Sequence, residues 1–573
     1  MTNRQLAEIF GLIADLLEIK GEVVYKILAY RKAAETISTL GRNVSDIWQS
    51  GKLTDIPGVG KAIAEKIDEL LRTGQLEFLE KLKEEVPESL AQVLEIPDLG
   101  PKKVALIWRE LGLATLDEVQ AAAQAGKLQG LPGMGAKSEA KILSGIESLA
   151  RRTGRTPLRD AWPLAQEQLA LLRAVPGVVA AEAAGSLRRM SATVGDIDLL
   201  VAAPDSAAVM QAFVEQPGIA RVIGHGATKS SVEFTTGLRA QLWVHPPERF
   251  GTALQYATGS KDHNVRLREL ALSQGFSLSE HALTAQDGAE TLCAGEAEVY
   301  TALGLPFIPP ELREDRGEIS AAQSGRLPVL IAPSDIIAEL HTHSTWSDGK
   351  ASIVEMAQAA LARGCHTLAI TDHSVSLGIA NGLSVERLEQ QRAEIAAVRQ
   401  QVGAGLTILH GIELEIKADG GLDFPDDILA SLDIVIASLH VSIRQPREQV
   451  TQRMLNAIHN PHVDIIAHPT NRLIPNRAGA DLDMDAILAA AAATDTVLEI
   501  NANPQRLDLE DIYARRAVEM GIKLAINTDA HHPNQLAFVD FGVSVARRGW
   551  VPPDAVLNTW QPQAIQDWLA NRA

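Results

Sequence analysis

Gly185-Ser-Leu-Arg-Arg-Met-Ser-Ala-Thr-Val-Gly-Asp-Ile-Asp-Leu-Leu-Val201 is the stretch from which the architecture can be worked outward. It ends in a strand-like apolar run carrying Asp196 and Asp198, two residues apart. Alternate residues of a strand share a face, so the two carboxylates can hold one divalent cation between them. Gly185, Ser186, Arg188 and Arg189 stand just upstream, placed to meet an incoming phosphate. A two-metal phosphoryl-transfer site of this kind takes a third carboxylate from elsewhere in the chain.

At 573 residues the chain is too long for one core, and size suggests about three or four domains. Hydrophobic residues make up 46%, charged residues 22%, and mean hydropathy is +0.01, as in an ordinary globular protein. No apolar run nears the roughly 20 residues that span a bilayer, and Met-Thr-Asn-Arg-Gln is no signal peptide, so no membrane partner is expected. With Cys293 and Cys365 alone, a disulfide framework or cysteine zinc site is excluded, and a reducing cytoplasm is the expected compartment. The net charge of -19 is unevenly spread: residues 1–156 hold 21 Lys/Arg against 22 Asp/Glu. Any nucleic-acid binding must then rest on local motifs rather than on bulk charge.

Residues 1–156 read as short helices broken by a glycine pattern that occurs three times. The copies are Ile56-Pro-Gly-Val-Gly-Lys-Ala-Ile-Ala-Glu-Lys-Ile67, Ile96-Pro-Asp-Leu-Gly-Pro-Lys-Lys-Val104 and Leu131-Pro-Gly-Met-Gly-Ala-Lys-Ser-Glu-Ala-Lys-Ile-Leu143. Each is an apolar residue, a tight turn, and a helix with lysine in its first turn. Glycine permits close approach, and the free N–H groups of the helix N-terminus suit a phosphate. A single copy is also compatible with a plain helix–turn–helix connection; three copies favour a ligand. They resemble helix-hairpin-helix motifs, which bind the DNA backbone without reading sequence. This gives Gly58, Gly60, Lys61, Gly100, Lys102, Gly133, Gly135 and Lys137 as expected DNA contacts. In the second copy Asp98 stands where the others have Gly58 and Gly133, which weakens its phosphate contact.

Residues 157–310 alternate strand-like runs (Ile197–Val201, Ile219–Ile223, Leu238–Val244) with helical ones, an α/β pattern. Residues 311–333 read as an ordered or semi-ordered linker. From 334 a new regularity begins, of short apolar strands each followed by a helical stretch. The strands are Ile336–Leu340, Thr367–Thr371, Thr407–Leu414, Asp433–Leu439, Val463–Ala467, Val497–Asn501 and Leu524–Thr528. Seven such units predict a parallel β/α barrel, with its chemistry at the C-terminal strand ends.

Six of the seven strands end in metal-ligand residue types. They are His341 and His343 with Asp348 in the next turn, His373, Glu413, His440, His468, and Asp529 with His531. One histidine after a strand is usually structural; six strands in phase are not. Imidazoles with bridging carboxylates suit Zn, Mn or Fe, and nine ligands suffice for up to three ions. Such a cluster fits hydrolysis of a phosphoester. His462 and His532 have no matching role and read as surface residues.

This pattern over about 334–573 resembles the PHP (polymerase and histidinol phosphatase) domain, whose nine ligand positions all find a counterpart here. The resemblance implies a seven-unit barrel with a trinuclear Mn or Zn centre. The Gly185 stretch, the hairpins and Tyr256-Ala-Thr-Gly-Ser-Lys-Asp-His-Asn264 resemble the family X DNA polymerases, similar to DNA polymerase beta. The whole chain is thus similar to a bacterial family X polymerase with an attached PHP domain. The fold class implied is multidomain α and α/β. It comprises an N-terminal lyase-like helical domain (1–80), helical fingers (81–156), a nucleotidyltransferase palm (157–250), a thumb (251–315), a linker (316–333) and the PHP barrel (334–573). The resemblance also implies a DNA repair protein of the bacterial cytoplasm, nucleoid-associated and monomeric, acting on gapped or nicked double-stranded DNA with deoxynucleoside triphosphates.

Carried over position by position, Ser186, Arg189 and Gly195 lie at the nucleotide triphosphate, and Asp196 and Asp198 hold Mg2+ or Mn2+. Tyr256, Gly259 and Asn264 pack on the sugar and base, with Ala257 where the family usually has phenylalanine. Lys66 falls at the lysine that forms a Schiff base with an abasic sugar in animal relatives; the alternative is a solvated surface lysine. Lys26 and Lys61 fit 5′-phosphate binding. The third carboxylate should sit in Gly237-Leu-Arg-Ala-Gln241-Leu-Trp243, where the family pattern is Asp, apolar, Arg. Gln241 occupies its place and lacks the charge that binds metal and helps deprotonate a primer 3′-OH; Glu233 is a conceivable substitute. Three readings stay open: synthesis plus 3′–5′ exonuclease, a degenerate polymerase half that delivers DNA to an active barrel, or a small-phosphoester hydrolase tethered to DNA.

Overall fold

The computed structural model describes residues 1–572 except 2, 39, 41, 43, 97, 98, 152 and 153, so Asp98 lies outside the described residues. The chain divides into two compact units, Met1–Gly154 and Arg155–Ala573. In the first, α1 (Asn3–Lys20) and α2 (Val24–Ser38) bury Leu6, Phe10, Ile13 and Leu17 against Ile27, Tyr30, Ala33 and Ile37. Tyr30 stacks between Phe10 and Phe78, with ring centroids 5.9 Å away on both sides. The glycine turns lead into α3 (Lys61–Thr73), α4 (Pro101–Leu111) and α5 (Ala136–Arg151). Their apolar residues, Ile56 and Val59, Ile96 and Leu99, Leu131 and Met134, belong to the same core.

The second unit begins with a five-stranded sheet: β1 (Ala180–Ala183), β2 (Ile197–Ala202), β3 (Ile219–His225), β4 (Lys229–Phe234) and β5 (Arg239–His245). Their order is β1-β2-β5-β4-β3, with β2 and β5 parallel and the other neighbours antiparallel. Strand alternation divides the side chains. Ile197, Leu199 and Val201, with Ala240, Leu242 and Val244, belong to the core shared with helix α6 (Leu158–Arg173). Leu200 and Ala202 face the other way, onto Phe250, Ala253 and Leu254. Asp198, Gln241 and Trp243 have the same parity as this second set.

Residues 316–333, expected as a linker, contain helix α7 (Glu318–Gln323), with Glu318, Ala321 and Ala322 buried. Ile331 is fully buried and its N–H donates to Val551.

Barrel strands β6 (Ala338–Glu339), β7 (Thr367–Ile370), β8 (Thr407–Glu415), β9 (Ile434–Ser438), β10 (Ile465–Ile466), β11 (Val497–Asn501) and β12 (Leu524–Asn527) run parallel in sequence order. First and last strands meet through the Thr342–Ala530 bridge rather than a full ladder, and the side chain of Asn558 spans the seam by donating to Ala338 and Ile526 carbonyls. The barrel is therefore nearly closed. Ala338, Leu340, Ala369, Leu409, Ile434, Ile436, Ile465, Ala467, Val497 and Ala525 draw on all seven strands and fill the lumen, with Ile565 and Trp568 of the C-terminal helix packed against them. Alternation from this apolar floor carries Glu413 two steps above Leu409 through Gly411, Glu499 above Val497, and Asp529 above Ala525 through Asn527.

Gly411 shows how tightly the wall is built: a Cβ there would lie 2.6 Å from Ile434 Cγ2 and 3.0 Å from Thr371 Cγ2. Gly411→Ala should cost about 1–3 kcal/mol in urea unfolding. Gly378→Ala, with nothing within 4 Å of the added carbon, should be close to neutral.

Candidate functional site

Two groups of residues singled out by the sequence come together in the structure. In the barrel, His341, His343, His373, Glu413, His468 and Asp529 are buried and His440, His531 and Asp348 partly so. Their donor atoms form three overlapping groups: His343, Asp348, His373 and His531; His341, His343 and Asp529; His373, Glu413 and His440. His468 joins them through Glu413, its Nε2 lying 2.9 Å from Oε1.

The donor set fits divalent transition-metal ions on grounds internal to the site. His341 Nε2 and His343 Nε2 face each other at 3.3 Å, which suits lone pairs sharing an ion. Glu413 Oε2 is buried with no hydrogen-bond partner although His373 Nδ1 is 2.8 Å away. His343 Nδ1 and His468 Nδ1 are likewise unpartnered. Burial pushes the His343 imidazole down to about 3, helped by the His531 and His373 charges, so it stands neutral as a ligand must. Burial alone would raise the Glu413 and Asp529 carboxyls; the surrounding imidazoles instead hold both well below the usual carboxylate range. Asp529 and His468 adopt left-handed backbone, at φ 53° and 25°, a strain of the sort kept at functional positions.

The ligands are oriented by groups that the strand-end rule did not single out. Glu499 takes His341 Nδ1 at 2.7 Å and also accepts from His468 N and Asn527 Nδ2. Glu415 takes His440 Nδ1 at 2.8 Å. These contacts fix the ring tautomers so that Nε2 faces the centre. Arg506 Nε stands 3.4 Å from Asp529 Oδ2, a cation at the rim. A charge inside an otherwise apolar strand, as in Val497-Leu-Glu499-Ile-Asn501, was the signal available for Glu499. His532 is exposed and His462 half-buried, away from these ligand groups.

In the palm, Asp198 and Gln241 are register partners on β2 and β5, and Gln241 Nε2 donates to Asp196 Oδ2 at 2.9 Å. Burial, with the Asp196 charge, pushes the Asp198 carboxyl up to about 7 against the pull of Lys229 and Arg189. Lys229 lies across from Trp243 with its ammonium 4.7 Å over the indole, a cation near the position where the family pattern has Arg. Gly185 allows the phosphate-side turn to close: a Cβ would sit 2.2 Å from Asp198 Oδ2. Glu233 is fully buried and salt-bridged to Arg221 at 3.3 Å and Arg239 at 3.6 Å, which holds its carboxylate on those arginines.

Ser186 and Gly195 are half-buried beside these groups. Arg188 forks onto Glu296 at 2.9 and 2.8 Å, while Arg189 donates to Glu314 and to the Thr258 carbonyl. Tyr256 is partly exposed, and Gly259 keeps Arg189 within contact of its backbone. Asn264 is turned inward, donating to Tyr256 O and accepting from Gln255. It holds the Tyr256–Gly259 turn. Ala257 packs beside Leu200 and Leu254.

In the N-terminal unit, Gly58 and Gly133 take positive φ of 79° and 74°, and Gly60, Gly100 and Gly135 each precede a helix. No side chain caps α3 or α4, so leading N–H groups remain for a phosphate. Lys61, Lys102 and Lys137 are exposed in those first turns. Lys66 and Lys26 lie 5.0 and 5.5 Å over the Phe78 ring, and Lys26 also pairs with Glu22 at 2.9 Å.

Glu499→Gln and Glu415→Gln should each weaken metal retention about 10- to 100-fold, read by competition against a fluorescent chelator. Unchanged retention would remove both from the ligand-orienting role.

Comparison with known proteins agrees with this geometry in several regions. Helix-hairpin-helix domain and SAM-like helix-hairpin-helix tandem models match residues 1–76, 50–112 and 90–148, the DNA polymerase beta thumb matches 253–314, and the PHP domain matches 339–503. The chain is 40% identical over 99% of both lengths to the DNA polymerase/3′-5′ exonuclease PolX of Bacillus subtilis (strain 168). It is 34% identical to a probable phosphatase of Thermoanaerobacter sp. (strain X514), covering 39% of this chain and 91% of that one. It is 27% identical to DNA polymerase lambda of Rattus norvegicus, over 54% of this chain and 56% of that one. End-to-end similarity of this kind makes the chain a member of the PolX family, the family X DNA polymerases that carry a C-terminal PHP domain.

Proposed function

We propose that the chain is a DNA repair enzyme of the bacterial cytoplasm that engages gapped or nicked double-stranded DNA and deoxynucleoside triphosphates through residues 1–333. Its barrel hydrolyses the 3′-terminal phosphodiester. The reading rests above all on one observation: eight residues that could hold metal, with His468 joined through Glu413, converge at one end of a barrel carried on the same chain as three glycine-turn motifs.

When bound, Mg2+ or Mn2+ in the palm, and up to three Mn2+, Zn2+ or Fe ions in the barrel, neutralise phosphate charge and activate an attacking oxygen. The chain's own residues supply the rest. Glu499 and Glu415 keep His341 and His440 aimed inward, and Arg506 offers a guanidinium to the phosphate beside Asp529. Hairpin N–H groups hold the DNA backbone, which leaves the 3′ end as the part free to reach a catalytic site.

Synthesis is the impaired activity in this reading. Gln241 presents an amide N–H to Asp196, so it contributes a donor where a third negative charge belongs. That contact also favours the second reading, in which the palm mainly binds DNA and nucleotide. Lys66, resting over Phe78, is assigned to DNA backbone binding with Lys26 and Lys61 rather than to lyase chemistry.

On gapped DNA with a labelled primer, Gln241→Asp should raise extension by about 10²-fold or more over wild type, and Asp198→Ala should abolish it. His341→Ala and Asp529→Ala should each abolish shortening of the primer 3′ end while leaving DNA binding intact. Cleavage of p-nitrophenyl phosphate without any attack on DNA would instead make the barrel a small-phosphoester hydrolase.

A further inference from the structure

Arg548 is the last residue of helix α9 (Val539–Arg548) in the barrel half, yet its guanidinium reaches the palm; the nearby barrel helix Asp511–Glu519 is α8. Nη1 donates to Glu314 Oε1 at 2.8 Å and to the carbonyl of Arg189 at 2.7 Å. Nη2 pairs with Asp511 Oδ2, the first residue of α8, at 3.0 Å. The same Asp511 oxygen takes Arg316 at 2.9 Å, and the same Glu314 oxygen takes Arg189 Nε at 3.1 Å. Charges thus alternate without a break along Arg316, Asp511, Arg548, Glu314 and Arg189, and every side chain in the row is less than a fifth exposed. Burial disfavours the charge on Glu314, but Arg548 and then Arg189 hold its carboxyl below the usual range.

This arrangement bears on nucleotide binding because Arg189 is expected to meet the triphosphate. Glu314 and a triphosphate are both anions and compete for one guanidinium. Alone, a half-buried Glu314 would place its full charge on Arg189. Arg548 takes a share of that charge and also grips the Arg189 carbonyl, which fixes the end of the Ser186–Arg189 turn. We infer that Arg548, held by Asp511, is a positioning residue for the nucleoside triphosphate in the palm, so that the barrel half completes the polymerase half's phosphate site. The inference rests on the proposed nucleotide-binding role of the palm.

The test measures nucleotide affinity rather than synthesis, so that an inactive palm does not hide the result. Full-length protein on gapped DNA, with a dideoxy, phosphorothioate-protected primer end, is titrated with the complementary deoxynucleoside triphosphate in Mg2+. Arg548→Gln should weaken binding about 5- to 30-fold, and coupling between Arg548 and Glu314 should appear in the double variant Arg548→Gln/Glu314→Gln as recovery to within about 3-fold of wild type. Arg548→Lys, which keeps the charge but cannot bridge both carboxylates, should fall between; it also serves if Arg548→Gln does not fold. Shortening of unprotected 3′ ends should persist in all of them. Wild type that binds no nucleotide would overturn the palm's proposed role and the inference with it. Normal binding by Arg548→Gln, or a double variant that stays as weak as the single one, would overturn the inference alone.

Discussion

Glu413 is the constraint on which the barrel half depends. Its carboxylate is wholly buried, with His373 Nδ1 at 2.8 Å, His468 Nε2 at 2.9 Å, and His341, His440 and His343 at 3.4 to 3.5 Å. A buried charge is tolerated only when its surroundings replace the water it has lost. Five imidazoles do so, and each must then be held in place in turn. That requirement explains Glu499 and Glu415 behind the rings, the left-handed backbone at His468 and Asp529, and the absence of a side chain at Gly411. The unpartnered Glu413 Oε2 and His343 Nδ1 within this crowd fit a centre that could hold cations.

The palm follows a different balance. Asp196 and Asp198 stand close together at a strand end, and Asp198 is driven toward its neutral form by burial and by its neighbour. Gln241 donates to Asp196 beside this pair. Arg188 and Arg189 are each countered by a carboxylate from later in the chain, Glu296 and Glu314. The two arginines are thereby held by ion pairs instead of being left as loose positive charge.

Much of this was legible in the residues. Seven strand positions and the glycine turns could be located because strand ends and glycine turns have local signatures, and the residue types suited to metal stood out at the strand ends. Asn264 shows a contact that the residues did not reveal: its amide donates to Tyr256 O and accepts from Gln255. Glu233 shows another, since only the β4–β5 register reveals that Arg239 lies directly across from it. The segment 316–333 looked like a connector because it is short and polar; its helix is ordered by burial of Glu318 against His263, a contact 55 residues away.

The sequence by itself determined the kinds of site present, because ligand type, strand alternation and glycine turns act over a few residues. It also placed Gln241 where the resemblance leads one to expect a third palm carboxylate. Tertiary structure alone decided which carboxylates orient the imidazoles, where the Gln241 amide points, and that Arg548 from a barrel helix reaches Arg189. Those are contacts between residues 25 to 359 positions apart, whose energies depend on shared burial and on which charges end up side by side.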